Sequence, residues 1–129
     1  MPPIENLQRV PPLALTRLER QGIFTTGLFL EVSETPTRRT YLADQVGVST
    51  NDIDDWRDEA LLLNLANFGR EQQRILNQAR VVGLADLLAL SPQRFRDRVV
   101  EAAYTLGLET PTDLTVQGWY EQAKTLAED

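Results

Sequence analysis

The chain has 129 residues, of which 42% are hydrophobic, and carries a net charge of −6. It contains no cysteine and no histidine, which excludes disulfides, thiolate nucleophiles, Cys/His zinc sites and histidine acid–base catalysis. An acidic chain is a poor match for the nucleic-acid backbone, and no apolar run is long enough for a bilayer-spanning helix.

In the first half of the chain, prolines, glycines and hydroxyl residues predict where helices begin and end. Pro11 and Pro12 open a helix that Gly22 ends, and Thr35-Pro36 opens another that ends at Gly47. A third helix begins with a predicted capping box and continues with a buried stripe, formed by Ser49 and Asp52 and then by Ile53, Trp56, Ala60 and Leu63. Residues 25–32 fit either a strand or a short helix.

The second half repeats this plan. Gly83 is the predicted end of its first helix, Ser91-Pro92 opens a long helix, and Gly107 ends it. Thr110-Pro111 is expected to start a short helical turn, and Thr115 to cap the last helix. The apolar stripes of these helices are Ile75, Leu76, Ala79 and Val82, then Phe95, Val99, Ala102, Ala103 and Leu106, then Trp119, Tyr120, Ala123 and Leu126.

The matching order of signals predicts an all-α domain, residues 1–129, that contains an internal repeat. Its two units, residues 4–63 and 64–127, are each too small to bury a full core. We therefore expect them to pack on each other in one compact bundle. The N-terminus has no basic and apolar leader, which favours a cytoplasmic protein.

These landmarks resemble a bacterial domain of unknown function, family 4332 (DUF4332). The resemblance covers residues 7–126 and is carried by two groups of positions. They are Thr35, Arg39, Leu42, Ala43, Gly47, Ser49, Ile53, Trp56, Ala60, Leu61 and Leu65, and then Gly83, Leu87, Leu88, Pro92, Val116, Trp119, Ala123, Lys124 and Leu126. It implies tandem units similar to degenerate helix-hairpin-helix (SAM/HhH-like) motifs, and it brings no activity with it.

Helix-hairpin-helix units hold a nucleic-acid phosphate on the backbone N–H groups of a glycine-rich turn. We expect the corresponding turn at the same distance before Gly22 in the first half and before Gly83 in the second. Arg9 and Arg70 each lie 13 residues before these glycines, so the two candidate turns are Arg9-Val10-Pro11 and Arg70-Glu71-Gln72. Neither keeps a glycine pair, proline offers no N–H, and glutamate repels phosphate. The pattern therefore favours loss of an ancestral phosphate site.

Charge is unevenly spread along the chain. Residues 44–59 are rich in aspartate, which fits either a divalent-cation site or, more simply, acids that favour a helix N-terminus. Residues 70–98 are rich in arginine, and Arg70, Arg74, Arg94 and Arg98 lie one turn apart in pairs on two predicted helices.

We expect a non-catalytic protein–protein interaction or assembly module without cofactor or metal. The four paired arginines would recognise an acidic partner surface. The alternative is a nucleic-acid-binding module of the helix-hairpin-helix type, by analogy alone. A homodimer, in which the acidic stretch of one copy meets the basic stretch of another, is also open.

Overall fold

The all-α prediction is confirmed by the computed structural model, which describes residues 2–128. The chain divides into two units, Met1–Asn64 and Leu65–Asp129. Each unit contains four α-helices, and the described residues contain no strand, only an isolated bridge between Pro3 and Thr25.

The first unit begins with a 3-10 turn, Ile4–Asn6, that is tied to the loop between the first two helices. The N–H of Ile4 donates to the carbonyl of Phe24 at 2.8 Å, and the N–H of Thr26 donates to the carbonyl of Pro2 at 3.0 Å. The helices are α1 (Pro12–Arg20), α2 (Thr26–Val32), α3 (Pro36–Val46) and α4 (Thr50–Leu63). Because α4 packs against both α2 and α3, it forms the centre of this unit.

Side-chain caps explain where α2, α3 and α4 begin. The hydroxyl oxygens of Thr25, Thr35 and Ser49 each accept a hydrogen bond from the N–H three residues later. The cap at Thr25 decides the ambiguous stretch 25–32 in favour of a helix. The capping box of Ser49 and Asp52 is confirmed, since each side chain bonds to the backbone of the other residue.

The second unit is built from α5 (Arg70–Gln78), α6 (Leu84–Leu88), α7 (Pro92–Leu106) and α8 (Asp113–Glu128). Here α5 packs against α7, and α8 packs against both α6 and α7. The largest fully buried side chains at these contacts include Ile75, Leu76, Phe95 and Trp119. Burial of such side chains is the main stabilising contribution in a helical unit of this size.

The predicted helix end at Gly83 is wrong. Gly83 instead begins α6, because the carboxylate of Asp86 accepts hydrogen bonds from the N–H groups of Val82 and Gly83 at 3.0 and 3.2 Å. Helix α5 ends at Gln78, and Arg80 takes the left-handed position after it with φ of +64°. In consequence Val81, and not Val82, is the buried residue that follows.

The predicted start of the last helix is also wrong. Thr110 and Pro111 lie in a loop without helical structure, and α8 begins at Asp113. The hydroxyl oxygen of Thr112 accepts a hydrogen bond from the N–H of Thr115 at 3.2 Å, so Thr112 and not Thr115 caps the helix. Two hydroxyl residues at this spacing leave the choice of cap ambiguous in the sequence.

Candidate functional site

In the first unit, the loop before α1 is held by a buried carboxylate. The N–H groups of Gln8 and Arg9 donate to the two carboxylate oxygens of Glu59, at 2.8 and 3.0 Å. Glu59 lies one turn after Trp56 on α4, and its residue is only 1% exposed. A carboxylate thus occupies the backbone donors that a phosphate would need at this turn.

The side chain of Arg9 is also held by α4. Its guanidinium donates to the carboxylates of Asp55 and Asp58, at 3.2 and 2.9 Å, and to the carbonyl of Asp55 at 3.0 Å. The candidate turn Arg9-Val10-Pro11 therefore faces acids of its own unit. Arg9 contributes to internal structure here, and its side chain is not directed at an external ligand.

Burial raises the pKa of Glu59 above its usual value of 4.5, against the opposing effects of the Arg9 and Gln8 amides and the Arg9 charge. Because the folded protein binds this proton more tightly than the unfolded chain, protonated Glu59 favours folding. That contribution is complete below pH 4.5 and is lost as the pH rises through the raised pKa.

A comparison with Glu59→Gln tests this pH dependence. We expect the free energy of unfolding of the unmodified protein to fall, relative to that of the variant, as the pH rises from 4.5 toward neutrality. Urea unfolding of both proteins across this range measures the difference, in which the other carboxylates cancel. A difference that is constant with pH, or that grows in favour of the unmodified protein, contradicts the raised pKa.

A similar arrangement holds the loop before α5 in the second unit. The N–H of Ala66 donates to the side-chain oxygen of Gln122 at 3.0 Å, and the indole N–H of Trp119 donates to the Ala66 carbonyl at 2.9 Å. Gln122 lies one turn after the buried Trp119, as Glu59 does after the buried Trp56. The prediction that both tryptophans are core residues is confirmed.

The second candidate turn was placed three residues too late. Arg70, Glu71 and Gln72 form the first turn of α5, and the loop before the helix is residues 66–69. In that loop Asn67 has a left-handed backbone with φ of +60°, and Gly69 donates its N–H to the Gln72 side chain at 2.9 Å. The residue that matches Gly22 in backbone conformation is Arg80, three positions before Gly83, and this difference accounts for the error.

The aspartate-rich stretch is used within its own unit. The described residues contain no group of three acids that could hold a metal ion. Four of its five aspartates are engaged in the capping box or in ion pairs: Asp52 completes the capping box of α4, Asp54 lies 3.9 Å from Arg39, and Asp55 and Asp58 contact Arg9.

Most arginines of the first unit are held by internal contacts. Five side chains donate to carbonyl, hydroxyl or carboxylate oxygens of the same unit: Arg9, Arg17, Arg38, Arg39 and Arg57. Burial and the neighbouring charge of Arg39 lower the pKa of Arg57, which bonds to Leu30 and Ser33. These guanidiniums stabilise loops and helix ends.

The second unit differs in this respect. Within residues 2–128, four of its arginine side chains make no hydrogen bond or ion pair: Arg74, Arg80, Arg94 and Arg98. We use the name arginine face for the set predicted from the sequence: Arg70, Arg74, Arg94 and Arg98. Three residues without a side-chain partner in the described part of the chain, Arg74, Arg94 and Arg98, belong to this set. Its members lie on the neighbouring helices α5 and α7, and all but the half-buried Arg98 are exposed.

Two residues of interest were missed by sequence reasoning. Arg80 belongs to the arginine-rich stretch 70–98, but its position near Arg98, on the wall of the same cavity, depends on where α5 ends. Glu59 contacts residues about 50 positions earlier in the chain, which no local pattern reveals. The available signal was the spacing that Trp56 and Glu59 share with Trp119 and Gln122.

No helix in the described part of the chain, residues 2–128, has the length and apolar character that crossing a bilayer requires. No curated protein and no solved structure matches the chain. A match to the family described as "Domain of unknown function (DUF4332)" extends over residues 10–126, which is most of the chain. The resemblance noted in the sequence is therefore confirmed, and the chain belongs to the DUF4332 family.

Proposed function

We propose that this chain is a non-catalytic, cytoplasmic interaction module that binds an acidic protein surface through the arginine face. The observation that carries the proposal is that, within residues 2–128, the guanidiniums of Arg74, Arg94 and Arg98 have no internal acceptor. In the first unit, by contrast, most of the arginines donate to acceptors of their own unit. Arginine forks match carboxylate geometry, so unsatisfied ones on a surface favour recognition of acids.

The helices give this surface a fixed shape. Arg74 is next to the buried Ile75 on α5, and Arg94 and Arg98 flank the buried Phe95 on α7. The buried residues pack the two helices together, which fixes the helical backbone from which the arginines project. A rigid scaffold reduces the entropy that is lost when a partner binds.

The chain also fits a pair of tandem helix-hairpin-helix-like units that have changed their function. In support of a repeat, each unit has a tryptophan followed one turn later by a side-chain oxygen that accepts a loop N–H. In a phosphate-binding hairpin those N–H groups would face the ligand. Here Glu59 and Gln122 take them, which favours a protein partner over nucleic acid.

Two features favour a non-catalytic role: the amino-acid composition and the buried position of Glu59. The chain has no histidine or cysteine. The carboxyl group whose pKa is raised, that of Glu59, is buried and bonded to backbone amides, so it has no path to a substrate.

Binding to a fluorescently labelled oligoglutamate peptide tests the proposal. We expect salt-sensitive binding that Arg74→Glu together with Arg94→Glu weakens by roughly tenfold or more, since each reversal replaces attraction by repulsion. Fluorescence anisotropy measures the affinity. Arg20→Glu is the matched control, because Arg20 is an exposed arginine at the end of α1 in the other unit.

Duplex DNA of comparable charge is the competing probe. Peptide binding that is unaffected by the double reversal, or no peptide binding at low salt, overturns the proposal. Tight, steeply salt-dependent binding of DNA with no binding of the peptide would instead establish the nucleic-acid alternative.

A further inference from the structure

Arg80 stands in a backbone position that favours glycine. It follows the end of α5 with φ of +64°, and the N–H groups of Arg80 and Val81 bond back to the carbonyls of Asn77 and Leu76. The first unit has the same motif after α1, where the left-handed residue is Gly22 with φ of +81°. A side chain with a Cβ is disfavoured in this conformation, which suggests that the Arg80 side chain has a use.

Arg80 borders a cavity of about 290 Å³ between the end of α5 and the C-terminal half of α7. Arg98 lines the same cavity, as do Gln78 and the carboxylate of Glu101. Neither Arg80 nor Arg98 has a hydrogen-bond or ion-pair partner within residues 2–128. Two cationic side chains against one anionic side chain leave the walls with a net positive charge.

We propose that this cavity is a carboxylate pocket, in which the guanidiniums of Arg80 and Arg98 bind one Asp or Glu side chain of an acidic partner segment. The inference rests on the proposed function and names the anchor point of that interaction. A carboxylate fits because it can accept two N–H donors from each guanidinium, whereas Glu101 repels a more highly charged phosphate.

The neighbouring arginines indicate a segment with several acidic side chains. Arg94 lies one turn before Arg98 on α7, and Arg74 lies one turn before Gln78 on α5. Positive charge therefore extends from the pocket along both helices. A row of arginines matches a row of side-chain carboxylates better than it matches a single C-terminal carboxylate.

The test uses a C-terminally amidated oligoglutamate peptide, so that every carboxylate in the probe is a side chain. Asparagine tolerates the left-handed conformation, so Arg80→Asn removes the charge and keeps the turn. We expect this variant, and Arg98→Gln, to weaken binding by about tenfold, the loss typical of a charge-assisted hydrogen-bonded contact. Glu101→Gln, at the same cavity, should strengthen binding by about twofold because it removes a repulsion.

A second readout separates a binding role from a folding role. Arg80→Gly relieves the backbone, so the melting temperature should stay the same or rise while affinity for the peptide falls. A fall in affinity accompanied by a lower melting temperature of both Arg80 variants would overturn the pocket, since it would show damage to the fold. Unchanged affinity in all the pocket variants would also overturn it.

The failure of this inference is distinguishable from failure of the proposed function. If the peptide binds and only the Arg74/Arg94 double reversal weakens it, the arginine face stands and the carboxylate pocket is wrong. If a peptide with a free C-terminus binds and its amide does not, the pocket takes a terminal carboxylate and the assignment to side chains is wrong. If no acidic peptide binds, both are wrong.

Discussion

Trp119→Ala is expected to lower the free energy of unfolding of the second unit by about 4 kcal/mol, the cost typical of truncating a buried tryptophan. Trp119 is 1% exposed, and its indole N–H donates to the carbonyl of Ala66 at 2.9 Å. Its ring also meets Phe68 edge-on, with the centroids 5.4 Å apart. The substitution therefore leaves a cavity and releases the loop before α5.

Urea unfolding followed by far-UV circular dichroism measures the effect without depending on tryptophan fluorescence. Trp119→Phe is the matched control: it keeps an aromatic ring in the core and loses the N–H donor, so we expect a loss of only about 1–2 kcal/mol. Hydrogen exchange should show the amides of α5 opening more readily in the alanine variant. A loss below about 1 kcal/mol for Trp119→Ala would contradict this account of the core.

Glu59→Ala is expected to destabilise the first unit by about 3 kcal/mol at neutral pH, because it removes two charge-assisted hydrogen bonds. The N–H groups of Gln8 and Arg9 would lose their acceptors in a part-buried place. The alanine variant no longer buries a carboxyl group, and this gain offsets a fraction of that loss. Urea unfolding at neutral pH is the measurement.

Gln122→Ala provides the comparison in the second unit. Gln122 is neutral and accepts one N–H, that of Ala66, so its removal should cost only about 1 kcal/mol. Equal costs for the two alanine variants would show that the charge of Glu59 adds nothing, and would contradict the role assigned to it.

The helix starts could be predicted from the sequence because a capping hydrogen bond joins residues that are close along the chain. Thr35, Ser49 and Ser91 each accept a hydrogen bond from a backbone N–H only three residues away, so the residue types alone indicate them. The same holds for the glycine ends at Gly22 and Gly47, where φ is positive. These signals were sufficient for the all-α class and most of the element order.

The end of α5 could not be predicted, because it contradicts the usual preference for glycine in the left-handed position after a helix. An arginine takes the left-handed position, and a glycine a few residues later begins the next helix because Asp86 accepts its N–H. The sequence pattern assigns those two roles the other way round. That reversal displaced the predicted turn at Arg70 and concealed the relation between Arg80 and Arg98.

The spacing of the arginine face was predictable, but the lack of internal acceptors for Arg74, Arg94 and Arg98 within residues 2–128 was not. Whether a guanidinium is satisfied depends on carbonyls and carboxylates that are distant in sequence. Arg57 bonds to Leu30 and Ser33, and Arg17 bonds to Val46. Only the folded chain shows that Arg74 and Arg94 have no counterpart to these contacts within residues 2–128.

The hydrogen bonds between Glu59 and the loop before α1 also determine how far the N-terminus can be truncated. The family match begins at residue 10, just after Gln8 and Arg9, which supply the donors for the buried carboxylate. A fragment trimmed to residues 10–126 would leave the buried carboxyl group of Glu59 without the N–H groups of Gln8 and Arg9. An expressed form of this protein should therefore start before Leu7, a buried residue outside the matched range.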